Sequence, residues 1–206
     1  MNFQKFTIGD IGNNDYLIMD NGEAVLIDCS GVIPELEAVL KENKCELKSV
    51  FLTHGHFDHI QGLKKLQDKY PNVKTYLHED DQETVDTVND FMKMVGLPPI
   101  EVPRIDVHLK DGDKVKVGNT EFKVIHLPGH TPGGVGYLTD NMLFSGDTVF
   151  LNSVGRTDLP GGDYNAIVKS VKEKVFTLPD NTMIYPGHGA ETSVGYEKRY
   201  NNIVTE

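Results

Sequence analysis

The chain has 206 residues, 38% of them hydrophobic and 25% charged, a length and balance with which one domain buries a sizeable core without disulfide or metal staples. Its formal net charge of −11 opposes non-specific binding to nucleic acid, which depends on a basic face, and no apolar run approaches the ~20 residues of a membrane-spanning helix. We therefore expect one domain over residues 1–206 that acts on a small molecule, not on nucleic acid or a membrane; residues 1–10 lack the apolar stretch and cleavage site of a secretion signal, so a cytoplasmic location is expected, while oligomeric state is not legible.

In chain order, short strands are expected at 3–8, 16–19 and 24–27, separated by turns at 9–14 and at Asn21-Gly22. Pro34 suits a first helical position, and Leu36, Val39 and Leu40 fall on one face of a helix reaching about residue 44. A β-rich run at 49–53 leads into a histidine-dense loop, then a helix over about 60–69 carrying Leu63 and Leu66. After a strand at 75–77, residues 79–95 read as one helix, acidic at its start, whose Phe91, Met92, Met94 and Val95 are expected to pack on the core, the alternative being that they wall a substrate pocket. Proline-rich 96–103 is a loop, and 104–127 reads as a second meander of three strands broken at Asp111-Gly112-Asp113 and Gly118-Asn119. Strands at 135–138, 142–144 and 183–185 and helices at 164–176 and 192–201 complete a layered α/β pattern. Cys29 and Cys45 are too few and too far apart for a disulfide framework or a metal knuckle, so both are expected to be reduced and structural.

The chemistry concentrates in Thr53-His54-Gly55-His56-Phe57-Asp58-His59, three histidines and a carboxylate packed into one loop after a strand. Imidazole and carboxylate are the donors that zinc, iron and manganese accept. Three more candidates follow the same placement rule: His130, Asp147 and His188 each stand just beyond a strand, in Pro128-Gly129-His130, Gly146-Asp147 and Gly187-His188-Gly189, where glycine permits the tight turn that aims a side chain into a crevice. Five histidines and two aspartates exceed the three or four protein ligands of one catalytic zinc, which implies two divalent ions sharing a carboxylate. His78, His108 and His126 lack such a setting and read as structural.

These motifs resemble the metallo-β-lactamase superfamily, with its HxHxDH loop followed by a histidine, an aspartate and a final histidine. The resemblance implies a four-layer αββα sandwich (α/β, α+β), His54, His56 and His130 on a first metal, Asp58, His59 and His188 on a second, and Asp147 bridging them; zinc is the metal first expected, with iron or manganese as alternatives. Asp28, at the end of an early strand, resembles the superfamily's first acid, behind the ligands. The segments Gly129 to Gly134, Gly146 to Phe150 and Gly155 to Gly162 resemble the glyoxalase II group, hydroxyacylglutathione hydrolases, in their short form with the metal domain alone. That likeness implies hydrolysis of a small thioester or related ester by a metal-held hydroxide, which Asp58 orients as the catalytic residue. Arg156 is expected either to meet a substrate carboxylate or to hold its loop through a buried pair with Asp158. Persulfide dioxygenases, which use one iron on the equivalents of His54, His130 and Asp147, and lactonases of the same fold are the alternative readings; Tyr185-Pro186-Gly187-His188-Gly189 is similar to the hydrolases.

Overall fold

The architecture is that of a computed structural model describing residues 1–205. The first sheet runs in chain order: β1 (Asn2–Ile8), β2 (Asn13–Asp20), β3 (Glu23–Ile27), β4 (Glu46–Phe51), β5 (Lys74–His78) and β6 (Val107–Leu109). Pairing is antiparallel from β1 to β3 and parallel from β3 to β6. Parallel neighbours need crossovers, which α1 (Leu36–Glu42), then α2 (Phe57–Ile60) with α3 (Leu63–Lys69), then α4 (Gln82–Asp86) with α5 (Val88–Met94) supply in turn. The second sheet holds β7 (Lys114–Val117), β8 (Thr120–His126), β9 (Val135–Thr139) and β10 (Met142–Gly146). A small hairpin, β11 (Val149–Phe150) and β12 (Ser153–Val154), and α6 (Tyr164–Ser170) lead to β13 (Met183–Pro186), parallel to β10, and to β14 (Thr192–Ser193). The helices α7 (Val194–Tyr200) and α8 (Asn202–Thr205) follow.

Alternation along the strands builds the layers. In β2, Leu17 and Met19 face a core shared with Leu36, Leu40, Leu63 and Met92 of the covering helices, while Tyr16 and Ile18 face the space between the sheets. That middle core joins Phe51 of the first sheet to Phe122 and Tyr137 of the second, ring centroids 6.3 and 5.4 Å away. Behind the second sheet Ile125, Leu143 and Ile184 meet Val171, Val194 and Val204. Three cores separate four layers, the αββα sandwich. Each fully enclosed aromatic or branched side chain there, such as Phe144 or Ile184, contributes about 1.5–3 kcal/mol by leaving water.

Four expectations need correction. Residues 79–95 are a 3₁₀ turn (Glu79–Asp81) and two helices, because Thr87 turns its hydroxyl onto the carbonyl of Glu83 at 2.7 Å and closes α4. The helix expected at 60–69 begins earlier, inside the histidine loop, and is interrupted where the Gly62 amide bonds the Cys29 carbonyl at 3.0 Å; a Cβ on Gly62 would stand 2.3 Å from the Gly31 oxygen. The second meander is not one unit: β6 completes the first sheet beside β5, and the chain crosses at Asp111-Gly112-Asp113 to start the second sheet as the β7–β8 hairpin. Asn13 and Asn14, expected in a turn, open β2 and are buried.

Candidate metal centre

Every donor singled out by the sequence lies beyond the carboxyl end of a strand, and those ends meet at one edge of the sandwich. β4 runs into His54 and His56; Asp58 and His59 ride on α2; His130, Asp147 and His188 follow β8, β10 and β13. The ring of His54 is 4.9 Å from that of His56, 4.1 Å from His59 and 4.8 Å from His130, and His59 lies 5.3 Å from His188. Two triads result, His54, His56 and His130, and Asp58, His59 and His188, each with donor atoms within 4.8 Å of one another. Asp147 stands between them, with Oδ2 3.6 Å from His130 Nε2 and 3.5 Å from His188 Nε2, and Oδ1 3.5 Å from His59 Nε2.

Outer contacts fix which ring nitrogen faces inward. Asp28, held at φ 61, accepts from the Thr53 amide and hydroxyl, both at 2.7 Å, and from His59 Nδ1 at 2.9 Å. Having given its one proton to Asp28, the Thr53 hydroxyl receives from His54 Nδ1 at 3.1 Å. His130 Nδ1 donates to the Arg156 carbonyl at 2.8 Å and His188 Nδ1 to that of Ile11 at 3.1 Å. Nδ1 of four of the five imidazoles is thus committed to an outer acceptor and Nε2 is turned to the centre, the orientation a cation selects.

The electrostatics are those of a site assembled for cations. Burial, then the neighbouring imidazoles, pushes His54 well below the usual histidine range, and burial with His130 pushes His56 down to about 3. Burial also works against charge on His59, but Asp147, Asp58 and Asp28 together outweigh it and hold that ring well above its ordinary value. Asp58 and Asp147 are held low by the surrounding histidines against the opposing effect of burial. His56 Nδ1 and His130 Nε2 face each other at 2.9 Å. His54 Nε2 and Asp147 Oδ1 are buried with no hydrogen-bond partner, each worth about 1–3 kcal/mol of desolvation left uncompensated. A lone-pair nitrogen and a carboxylate oxygen stranded in this way fit divalent metal ions, and no competing donor blocks them.

Two further residues shape the centre. Asp81, fully buried, accepts from the Gly55 amide at 2.8 Å, the Thr131 hydroxyl at 2.8 Å and the Gly133 amide at 2.6 Å, joining the loop of His54 and His56 to that of His130. The Asn13 side-chain amide approaches Asp58 Oδ2 at 3.0 Å and the Nε2 atoms of His59 and His188 at 3.3 Å. Arg156 forms a two-pronged pair with Asp158, at 2.8 and 2.6 Å, but the pair is exposed and not buried as expected, because both side chains project from the rim. His108 bonds Gln82 at 2.8 Å; His78 and His126 stack at 4.1 Å near Asp80, with His126 donating to the Pro132 carbonyl. Cys29 and Cys45 are both free thiols, Cys29 buried. Of the apolar residues on α5 and its end, Met92 packs on the core as expected, whereas Met94 and Val95 are exposed and Phe91 borders a cavity of about 250 Å³ that opens beside His56.

Comparison with known proteins finds relatives over nearly the whole chain. The metallo-beta-lactamase superfamily profile matches residues 8–188. The chain is 33% identical over 205 residues to the hydroxyacylglutathione hydrolase GloC of Haemophilus influenzae, covering 98% of this chain and 97% of that protein. Among solved structures it superposes on the BLEG-1 B3 metallo-beta-lactamase with a TM-score of 0.89 and 33% identity, over 99% of this chain and 100% of the other. It also superposes on TTHA1623 in a di-iron-bound form with a TM-score of 0.84 and 35% identity, over 97% and 98%.

Proposed function

Because the chain belongs to the metallo-β-lactamase superfamily and gathers seven histidine and aspartate donors at one focus, we propose that it is a binuclear metal-dependent hydrolase of a small thioester, hydroxyacylglutathione-like, or of a related ester. The observation that carries the reading is the pair of buried, unpartnered atoms His54 Nε2 and Asp147 Oδ1 at the meeting of the two triads. His54, His56 and His130 would hold one ion and Asp58, His59 and His188 the other, with Asp147 between; zinc suits this set, and iron or manganese accept the same donors. Bound divalent ions supply Lewis acidity and an ionised water at neutral pH.

The chain's own residues do the rest. Asp58, steadied by the Asn13 amide, orients the attacking water, and Asp28 fixes the His59 ring through Nδ1. A thiolate leaves with little protonation, which suits a centre whose histidines are committed as lone-pair donors. Arg156 would reach a substrate carboxylate only by giving up Asp158, and its two-pronged pairing supports the loop-holding role.

Hydrolysis of S-D-lactoylglutathione by protein of measured metal content tests the proposal. Activity is expected to vanish on chelation and return on reloading, and His59→Ala to lose one ion per chain and at least about 100-fold in turnover. An unchanged His59→Ala, or oxygen uptake with glutathione persulfide at one iron per chain, would overturn it in favour of the dioxygenase chemistry.

A further inference from the structure

The cavity beside His56 has a consistent chemical character. Its walls are Phe57, Val88 and Phe91 on one side and Pro132 and Pro160 on the other. The Phe91 ring stacks toward His56 at 6.4 Å and an interplanar angle of 22°, and meets Phe57 at 6.2 Å, so an aromatic surface runs unbroken from the metal-donor cluster to α5. On the same helix Met94, three residues beyond Phe91, lies 66% exposed and carries the apolar track outward.

The charged side chains on the rim are both acidic, Asp80 and Glu83; no lysine or arginine lines the cavity among the described residues. Lys110 is paired with Glu79 at 3.2 Å and Arg156 with Asp158 at 2.6 Å. An anionic group entering here would lose water against an apolar wall and meet like charge, with no guanidinium to receive it. An uncharged hydrocarbon group meets neither penalty and gains by burial.

We infer, resting on the hydrolase reading above, that this cavity is the acyl pocket and that it takes the uncharged, apolar acyl chain of a thioester or ester, an anionic acyl group being disfavoured. The reaction stays a hydrolysis: the C–S or C–O bond to the leaving group breaks, the water oxygen bonds the acyl carbon, and the water's protons end on the thiol or alcohol and the released acid. No oxidant or further reactant enters.

The test uses metal-loaded protein and S-acyl-N-acetylcysteamine thioesters, neutral from acetyl to octanoyl and anionic with succinyl, beside S-D-lactoylglutathione. If the chain enters the cavity, kcat/KM rises about fourfold per methylene until the space fills, and the anionic succinyl thioester falls at least about tenfold below the butanoyl one. Phe91→Ala flattens the chain-length series, and Glu83→Lys raises the ratio of succinyl to butanoyl thioester turnover by about threefold or more. Efficient S-D-lactoylglutathione hydrolysis with no chain-length dependence would overturn the acyl-pocket assignment while leaving the hydrolase standing. Turnover of none of these thioesters, nor of the p-nitrophenyl esters of the same acids, would overturn both.

Discussion

Asp81 stands in the second rank around the centre, yet one carboxylate receives two amides and a hydroxyl from the loops on either side of it. Asparagine keeps the volume but turns an N–H toward those donors. Asp81→Asn is therefore expected to retain the fold and weaken metal retention about 10–100-fold, measured as release to a competing chelator; unchanged retention would contradict the tie. Asp15 offers a second test. Burial, with the nearby Asp28 adding to it, raises its carboxyl to about 7 despite the bonds it accepts from Ser30. A carboxyl raised from 3.8 binds its proton more tightly folded than unfolded, so its stabilising contribution is full below about pH 4 and fades as pH rises to 7. The melting-temperature gap between parent and Asp15→Asn should narrow over that window and level off above it; a gap independent of pH would contradict it. At this scale the seven donors were legible because histidine and aspartate clustered after strands have few other uses. Asp81 was not, since Glu79-Asp80-Asp81 reads equally as acids favouring a helix N-terminus, and Asn13, next to Gly12, reads as a turn.

The elements were legible where a periodic run was bounded by its own turn residues, as in β2, β3 and β8. They were misread where tertiary contact overrode the local signal. Nothing in 79–95 announces that Thr87 will spend its hydroxyl on Glu83, and the parallel placement of β6 beside β5 depends on a pairing distant from its neighbours in sequence. The loops between elements are packed just as closely. Gly155 passes over the centre so tightly that a Cβ would fall 1.9 Å from the Asp147 carbonyl and 3.1 Å from the His130 ring. Gly155→Ala must push the Asp147 loop away, and melting should drop by about 3–10 °C with loss of one or both ions, readable by calorimetry and metal analysis. A variant with parental melting and metal content would show that the loop yields more freely than its packing implies.

Across the whole molecule, two sheets that each bury one face against helices and the other against each other leave a single edge where strand ends of both converge, and the donors stand there. The layered α/β character followed from the alternation of hairpins and strand-loop-helix units; the division of strands between two sheets did not, because alternation assigns a residue to a face and not to a partner. The centre also links the two halves mechanically, His54, His56, Asp58 and His59 from the first and His130, Asp147 and His188 from the second. Ions held there bind the folded chain alone, so free metal at 100 times its dissociation constant adds about 2.7 kcal/mol for each ion, or about 5–10 °C of melting temperature apiece. Chelation should remove that gain, and melting indifferent to metal would contradict a shared centre. The most direct measurement is anomalous diffraction at the metal absorption edge from crystals of the loaded protein. The account predicts two peaks, one among His54, His56 and His130 and one among Asp58, His59 and His188, with Asp147 reaching both. A single peak, or scattering only elsewhere on the molecule, would contradict it.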